Sequence, residues 1–161
     1  MFDRILDWLD ATSLAVAVRE SAMLFPWTES IHVLTLTIVV GSIAIVDLRL
    51  LGIASRGRSV GKLMQDVLPI TWIAFLGALI TGLMMFISQS ATYMENFYFL
   101  GKMVLLMAAG INVLVFHTVT ARSAAHWDIT GTIPTGAKAA GAASLTLWTL
   151  IVIFGRWIGF S

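Results

Sequence analysis

The residues best suited to chemistry in this sequence are ionisable side chains that stand inside long apolar stretches. Residues 31–52 hold His32 near the start and Asp47 and Arg49 near the end. Residues 98–117 hold Lys102 near the start and His117 at the end. An ionisable group in hydrocarbon is costly and marks a functional site by default. An imidazole there can ligate a metal.

The spacing of these residues predicts two polar layers. His32 and Asp47 are 15 residues apart, and so are Lys102 and His117. In an α-helix this separation leaves two residues within about 60° of one face and ~22 Å apart along the axis. We expect an outer layer with His32 and Lys102 and an inner layer with Asp47, Arg49 and His117. Further polar residues extend the layers: Glu29, Glu95 and Arg156 at the outer rim, Asn112 between the layers, and Arg122 and His126 on the inner side.

A porphyrin is the ligand that this arrangement suits. Neutral imidazole ligates haem iron, and helix bundles bind cofactors between facing helices. A cation beside the iron ligand would neutralise a haem propionate, so we pair His32 with Lys102 or Arg156, and His117 with Arg49 or Arg122. His32 is the preferred iron ligand and His117 the second. Two bis-histidine haems need four histidines, so another ligand must be Lys, Met, water or a second subunit.

Each polar residue also has a structural interpretation. Arg49 is a membrane anchor that pairs with Asp47, and Lys102 extends its ammonium group towards the interface. His32 forms a hydrogen-bonded contact between helices, and His117 is structural.

Composition indicates an integral membrane protein. The chain has 161 residues, of which 58% are hydrophobic and 12% charged, and its mean hydropathy is +0.91. Soluble domains carry about 25% charged residues. The net charge of +1 argues against nucleic acid as a partner, and the absence of cysteine excludes disulfides and thiolate metal sites.

The hydrophobic pattern predicts an all-α protein, a single membrane domain over residues 1–161. Residues 2–24 show apolar residues at helical spacing and read as amphipathic helices that lie in the membrane interface. Four spans follow, at about residues 28–51, 67–88, 99–120 and 136–158. The start of the chain is acidic, so we expect no signal peptide.

Loop charges predict the orientation. The loop after the first span carries Arg56, Arg58 and Lys62, and the opposite side has fewer basic residues. The positive-inside rule then places both termini outside, in the periplasm of a bacterium, with the chain in the inner membrane.

Two stretches resemble the HemJ-type protoporphyrinogen oxidases, which are four-helix membrane proteins that bind b-type haem. IHVLTLTIVVGSIAIVDLRLLG resembles their first helix, and YFLGKMVLLMAAGINVLVFH resembles their third. The resemblance implies that His32 and Lys102 are the functional pair. The whole chain is also similar to a bacterial group of short four-helix membrane proteins of unassigned function, with its His, Asp-Leu-Arg-Leu-Leu-Gly, Thr-Gly, Phe-His and Gly-Arg motifs. These motifs correspond here to His32, residues 47–52, Thr81 with Gly82, Phe116 with His117, and Gly155 with Arg156.

Three functions follow as hypotheses. The first is a haem b protein with a redox or electron-transfer role, whose partner is a quinone or a redox protein. The second is a protoporphyrinogen oxidase-like enzyme. The third is a non-enzymatic scaffold or accessory subunit, a homo-oligomer for example, because Ala137, Ala140, Gly141 and Ser144 form a small-residue surface that suits helix contacts.

Overall fold

The computed structural model describes residues 2–55, 57–120 and 132–160, and every regular element there is helical. Arg56, Arg122 and His126 lie outside these ranges. The helices are α1 (Phe2–Asp10), α2 (Ser13–Glu20), α3 (Leu24–Leu50), α4 (Val60–Ser88), α5 (Ser90–Glu95), α6 (Phe97–Val115) and α7 (Thr135–Trp157). A π-helical turn, Phe116–Thr120, extends α6, and a 3₁₀ turn, Ile158–Phe160, extends α7.

Four of these helices are long and apolar enough to cross a membrane: Leu24–Leu50, Val60–Ser88, Phe97–Val119 and Thr135–Phe160. Their length and composition indicate a multi-pass membrane protein and confirm the predicted all-α bundle. The helices extend past the predicted spans. The largest extension is at the start of α4, which begins at Val60.

Local sequence explains where the long helices begin and end. The hydroxyl oxygen of Ser59 accepts from the Lys62 amide at the start of α4, and Asn96 accepts from two amides at the start of α6. Helix α3 ends at Leu50 and is followed closely by Gly52, whose φ of +72° suits glycine. The amide of Ile53 donates to the Leu48 carbonyl over 2.9 Å, as in a Schellman motif.

Contacts between helices show that neighbours run antiparallel. His32 meets Ala78 near one end of α3, and Arg49 meets Arg58 near the other. On α7, a Cβ atom on Gly141 would lie 3.2 Å from the Asp47 carbonyl oxygen. Helix α6 also runs antiparallel to α7, because Asn112 near the end of α6 donates to the Ala140 carbonyl near the start of α7, so α3 and α6 run in the same direction. We call the end of the bundle where α3 leads into α4 the loop end, and the opposite end the α5 end.

The backbones of α4, α3, α7 and α6 approach one another closely in that order. A core cluster joins all four helices near mid-height: Val39, Ala74, Ala109, Trp148 and Ile151. The small residues Ala137, Gly141 and Ser144 are buried inside the chain, where Gly141 packs against α3. They are therefore not available as the partner surface on which the scaffold hypothesis was based.

The amphipathic helices α1 and α2 are attached to the segment between α4 and α5. Oδ1 of Asp10 accepts hydrogen bonds from the amide and the hydroxyl of Ser90, at 2.7 and 2.6 Å. The Arg19 guanidinium donates to the Ser88 carbonyl over 3.0 Å. One side chain thus caps the start of α5 and the other caps the end of α4.

These contacts set the protonation of Asp10. Partial burial alone raises the pKa of this carboxyl group, but the hydrogen bonds from Ser90 and Ala91 and the charge of Arg19 lower it below its ordinary value. A lowered folded-state pKa means that the carboxylate stabilises the fold above the unfolded pKa of about 4 and that this contribution is lost as the pH falls through the folded pKa.

We expect Asp10→Ala to lower the free energy of unfolding by about 1 kcal/mol at neutral pH, because it removes a helix cap. The variant should also lose less stability than the wild type on acidification. Thermal unfolding in detergent over a pH series measures both effects. Asp7→Ala is the matched control, since Asp7 is an exposed carboxylate on the same helix. Equal stability of the two variants would contradict the capping role.

Candidate functional site

His32 is held against α4 by one nitrogen of its ring. Nδ1 lies 3.0 Å from the Ala78 carbonyl oxygen and 3.0 Å from Oγ1 of Thr81. The Thr81 hydroxyl donates its own hydrogen to the Gly77 carbonyl over 2.7 Å. A carbonyl oxygen can only accept, so Nδ1 carries the proton. In the neutral ring, Nε2 then has a free lone pair, and no described residue hydrogen-bonds to it.

Glycine lets the imidazole lie directly on α4. A Cβ atom built on Gly82 would be 3.1 Å from Cε1 of His32, which is tighter than an ordinary van der Waals contact. One turn along α4, a Cβ atom on Gly77 would be 2.9 Å from Cγ2 of Thr35. The absence of side chains at these two positions therefore allows α3 and α4 to pack closely beside the ring.

Lys102 brings a positive charge to the same level of the bundle. It lies on α6, within electrostatic range of His32. Its ammonium group rests against α7, where a Cβ atom on Gly155 would be 3.5 Å from Nζ. No carboxylate among the described residues acts on this half-buried cation. The structure thus brings together the two residues of the predicted outer layer.

An aromatic cluster lies about one helical turn beyond His32, towards the α5 end. The rings of Phe86 and Phe99 stack with their centroids 5.5 Å apart, and Tyr93 packs against both. Burial raises the pKa of the Tyr93 phenol, and the nearby Glu29 carboxylate raises it further. The phenol therefore stays neutral, and the cluster forms a largely apolar cover beside the His32 level.

Asp47 and Arg49 are both buried near the loop end, at 5% and 9% exposure, but they do not pair. Nε of Arg49 donates to the Arg58 carbonyl over 2.8 Å. Asp47 instead faces Ser144 on α7. The structural interpretation in which these two residues neutralise each other is therefore not what the structure shows.

His117 and Arg156 lie on the surface. His117 is in the π-helical turn, where its Nδ1 lies 3.0 Å from the Val113 carbonyl of its own helix. It is not brought to Asp47 or Arg49. The exposed Arg156 guanidinium stacks over the Phe160 ring, 4.7 Å from its centroid. Neither residue contacts His32 in the described part of the chain.

These positions fit a haem held by one histidine. An imidazole that ligates iron usually donates its other N–H to a fixed acceptor, and His32 does so. Lys102 is suited to a propionate. A second histidine ligand at this level is missing from the described residues, which also contain no cluster of three His, Asp or Glu side chains able to hold a metal ion.

Sequence reasoning identified His32 and Lys102 but not the residues that orient the ring. Thr81 and Gly82 were noted as part of a Thr-Gly motif, and Ala78 has no chemical signal because it acts through its carbonyl group. Only the register of α3 against α4 reveals these partners.

We expect the His32 imidazole to be the Nδ1–H tautomer when the protein is free of added ligand. ¹⁵N NMR of histidine-labelled protein should show a ring with protonated Nδ1 and unprotonated Nε2 whose signal is absent in His32→Gln and kept in His117→Ala, because Nδ1 of His117 also faces a carbonyl oxygen. Thr81→Val should keep the tautomer, because the Ala78 carbonyl remains as acceptor. A protonated Nε2 at His32 would contradict the observed geometry.

Comparison with known proteins gives a family and no activity. No curated protein and no solved structure matches the chain. The resemblance to HemJ-type oxidases is not shown by these comparisons and stays a prediction from the sequence. Residues 6–161 match the model of a family of unknown function, DUF6644, and the chain belongs to that family.

Proposed function

We propose that this protein binds haem b in the membrane and has a redox or electron-transfer role. One observation carries the proposal: the His32 ring has one nitrogen committed to α4 and the other without a partner, beside a cation that no described carboxylate neutralises. Both groups are half-buried at membrane depth, where hydrocarbon offers no hydrogen-bond partner, so both favour a ligand that offers iron and an anion together.

Each residue around His32 has a defined part in this proposal. Nε2 of His32 is the iron ligand. The Ala78 carbonyl and the Thr81 hydroxyl fix the ring and increase its basicity, as outer-shell partners of metal-bound histidines do. Gly82 keeps the face of α4 free of a side chain beside the ring. Lys102 neutralises a propionate.

A single histidine at this level determines how many protein ligands the iron would have. Haem supplies one-electron redox chemistry when bound. His117 lies about 22 Å from Lys102 along α6, so it does not share the His32 site. His32 would hold the iron as one protein ligand, and a second ligand would come from water, a flexible side chain such as methionine, or a second subunit.

The cellular setting follows from the sequence. We place the protein in the bacterial inner membrane, with the α5 end and both termini in the periplasm, because the basic residues of the loop end favour the cytoplasm. A quinone or a redox protein is the expected electron partner.

We expect purified protein, after haem addition in detergent, to show a Soret band that shifts on reduction with dithionite. His32→Ala should remove it, because the iron ligand is lost. Thr81→Val should weaken haem affinity roughly 10-fold, the lower end for outer-shell substitutions. Absorption spectroscopy with haem titration measures both effects.

His117→Ala is the matched control, since it removes the same type of side chain from an exposed position near the other end of α6. It should leave the Soret band unchanged. A wild-type protein that stays colourless once unbound haem has been removed, or a spectrum that is lost in His117→Ala and kept in His32→Ala, would overturn the proposal.

A protoporphyrinogen oxidase-like enzyme is the second candidate. The observation that favours it is the proximity of Lys102 to His32, the pair that the HemJ-type resemblance implies. Rescue of growth in a bacterial strain lacking its own oxidase tests this function.

On this second candidate, we expect the wild-type gene to rescue the strain and Lys102→Ala to abolish rescue, because the cation beside the ligand is removed. Lys138→Ala is the control, since this lysine is exposed on α7. Absence of rescue by correctly inserted wild-type protein, with haem still bound, would exclude the enzyme and keep the haem protein.

A further inference from the structure

We propose that Asp47 is a proton-binding site near the loop end of the bundle, which keeps α3 and α7 together while its carboxyl group is protonated. The site is separate from the proposed haem site. Asp47 and His32 lie ~22 Å apart along α3, and the core cluster around Val39, Ala74 and Ile151 lies between them. The proposal therefore does not depend on haem.

The carboxyl group of Asp47 is enclosed by protein. The residue is 5% exposed, and its Oδ2 atom is buried with no hydrogen-bond partner among the described residues. Ser144 of α7, also 5% exposed, faces the carboxyl group. An ionised carboxylate in a medium of low dielectric constant needs several hydrogen bonds or a counter-ion. Among the described residues, the one polar side chain that interacts with the Asp47 carboxyl group is Ser144.

The described charged side chains of this region do not supply a counter-ion. On α3 itself, Arg49 directs its Nε to the Arg58 carbonyl. On the helices that pack against α3, Lys62 and Asp66 of α4 and Lys138 of α7 are exposed. None of these described charged groups interacts electrostatically with the Asp47 carboxyl group. A bound proton is the simplest species that removes the uncompensated charge.

The backbone around Asp47 shows what deprotonation would disturb. At Gly141, α7 comes so close that a Cβ atom would lie 3.2 Å from both the Asp47 carbonyl oxygen and Cβ of Leu50. Ala137, one turn away on α7, is fully buried. A negative charge here would be placed at a close contact between the two helices, so loss of the proton should weaken their packing.

The position of Asp47 indicates where the proton comes from. The residue lies in the last turn of α3, which ends at Leu50, directly before the turn at Gly52. The nearest aqueous phase is therefore the one at the loop end. We infer that Asp47 exchanges its proton with that side of the membrane.

Infrared spectroscopy of the purified full-length protein in lipid nanodiscs tests the proposal directly. We expect a carboxylic acid C=O band at pH 7 in the wild type, lost in Asp47→Asn and kept in Asp66→Asn. Asp66 is the matched control, because it is an exposed aspartate near the same end of the bundle. If Asp47→Asn fails to fold, the test is the wild-type spectrum recorded from pH 5 to pH 9, and the presence or absence of the carboxylic acid band at pH 7 decides it.

Thermal unfolding gives a second, independent measurement. The wild type should unfold at progressively lower temperature as the pH rises from about 4, the ordinary pKa of an aspartate, to the range in which the infrared band disappears, because the folded state keeps a proton that the unfolded state has released. Asp47→Asn is neutral at every pH and should lack this dependence.

Three results would overturn the proposal. One is a wild-type spectrum with no carboxylic acid band at pH 7. Another is a band that persists in Asp47→Asn, which would assign the proton to a different residue. The third is the same pH dependence of unfolding in the wild type and in Asp47→Asn.

Discussion

Hydrocarbon offers no hydrogen-bond partner, and this constraint governs how α3 and α4 fit together. Buried polar side chains of α3 must find acceptors or donors within the protein. They do so at two levels of the α3–α4 interface and at the loop that joins the two helices. The pairs are His32 with Ala78 and Thr81, Ser42 with Thr71 at 2.8 Å, and Arg49 with Arg58 in the following loop.

The exceptions to this rule are informative because they are few. In the described part of the chain, two buried side-chain atoms lack a hydrogen-bond partner: Oδ2 of Asp47 and Nε1 of Trp148. Asp47 lies where α3 packs on α7, and Trp148 belongs to the central cluster with Val39. The burial of Trp148 is explained by the size of its ring, which fills the centre of the bundle. Asp47 is small and contributes little packing, so its burial requires a different reason.

Sequence patterns predicted the fold well, and they predicted the site in part. The lengths of the apolar stretches predicted the four long helices. The alternating direction of these helices placed His32 and Lys102 at one level of the bundle. The same 15-residue spacing predicted His117 in the inner polar layer, but the structure places this residue on the surface. Its helix changes to π winding at Phe116, which rotates the following residues relative to an α-helix, and the exposed ring bonds to its own backbone. Arg49 could not be assigned either, because its acceptor is a loop carbonyl that has no signature in the sequence.

The two ends of the bundle hold ionisable groups of opposite charge that lack a described counter-ion. Near the α5 end, Lys102 is a cation without a described counter-ion, and it lies beside an imidazole whose free nitrogen has no partner. Such a pair is stabilised by a ligand that brings negative charge. Near the loop end, Asp47 is an acid without a counter-ion, and a proton is sufficient to neutralise it. Because the apolar cluster around Val39 and Ile151 separates the two groups, neither can neutralise the other, and each must be compensated locally.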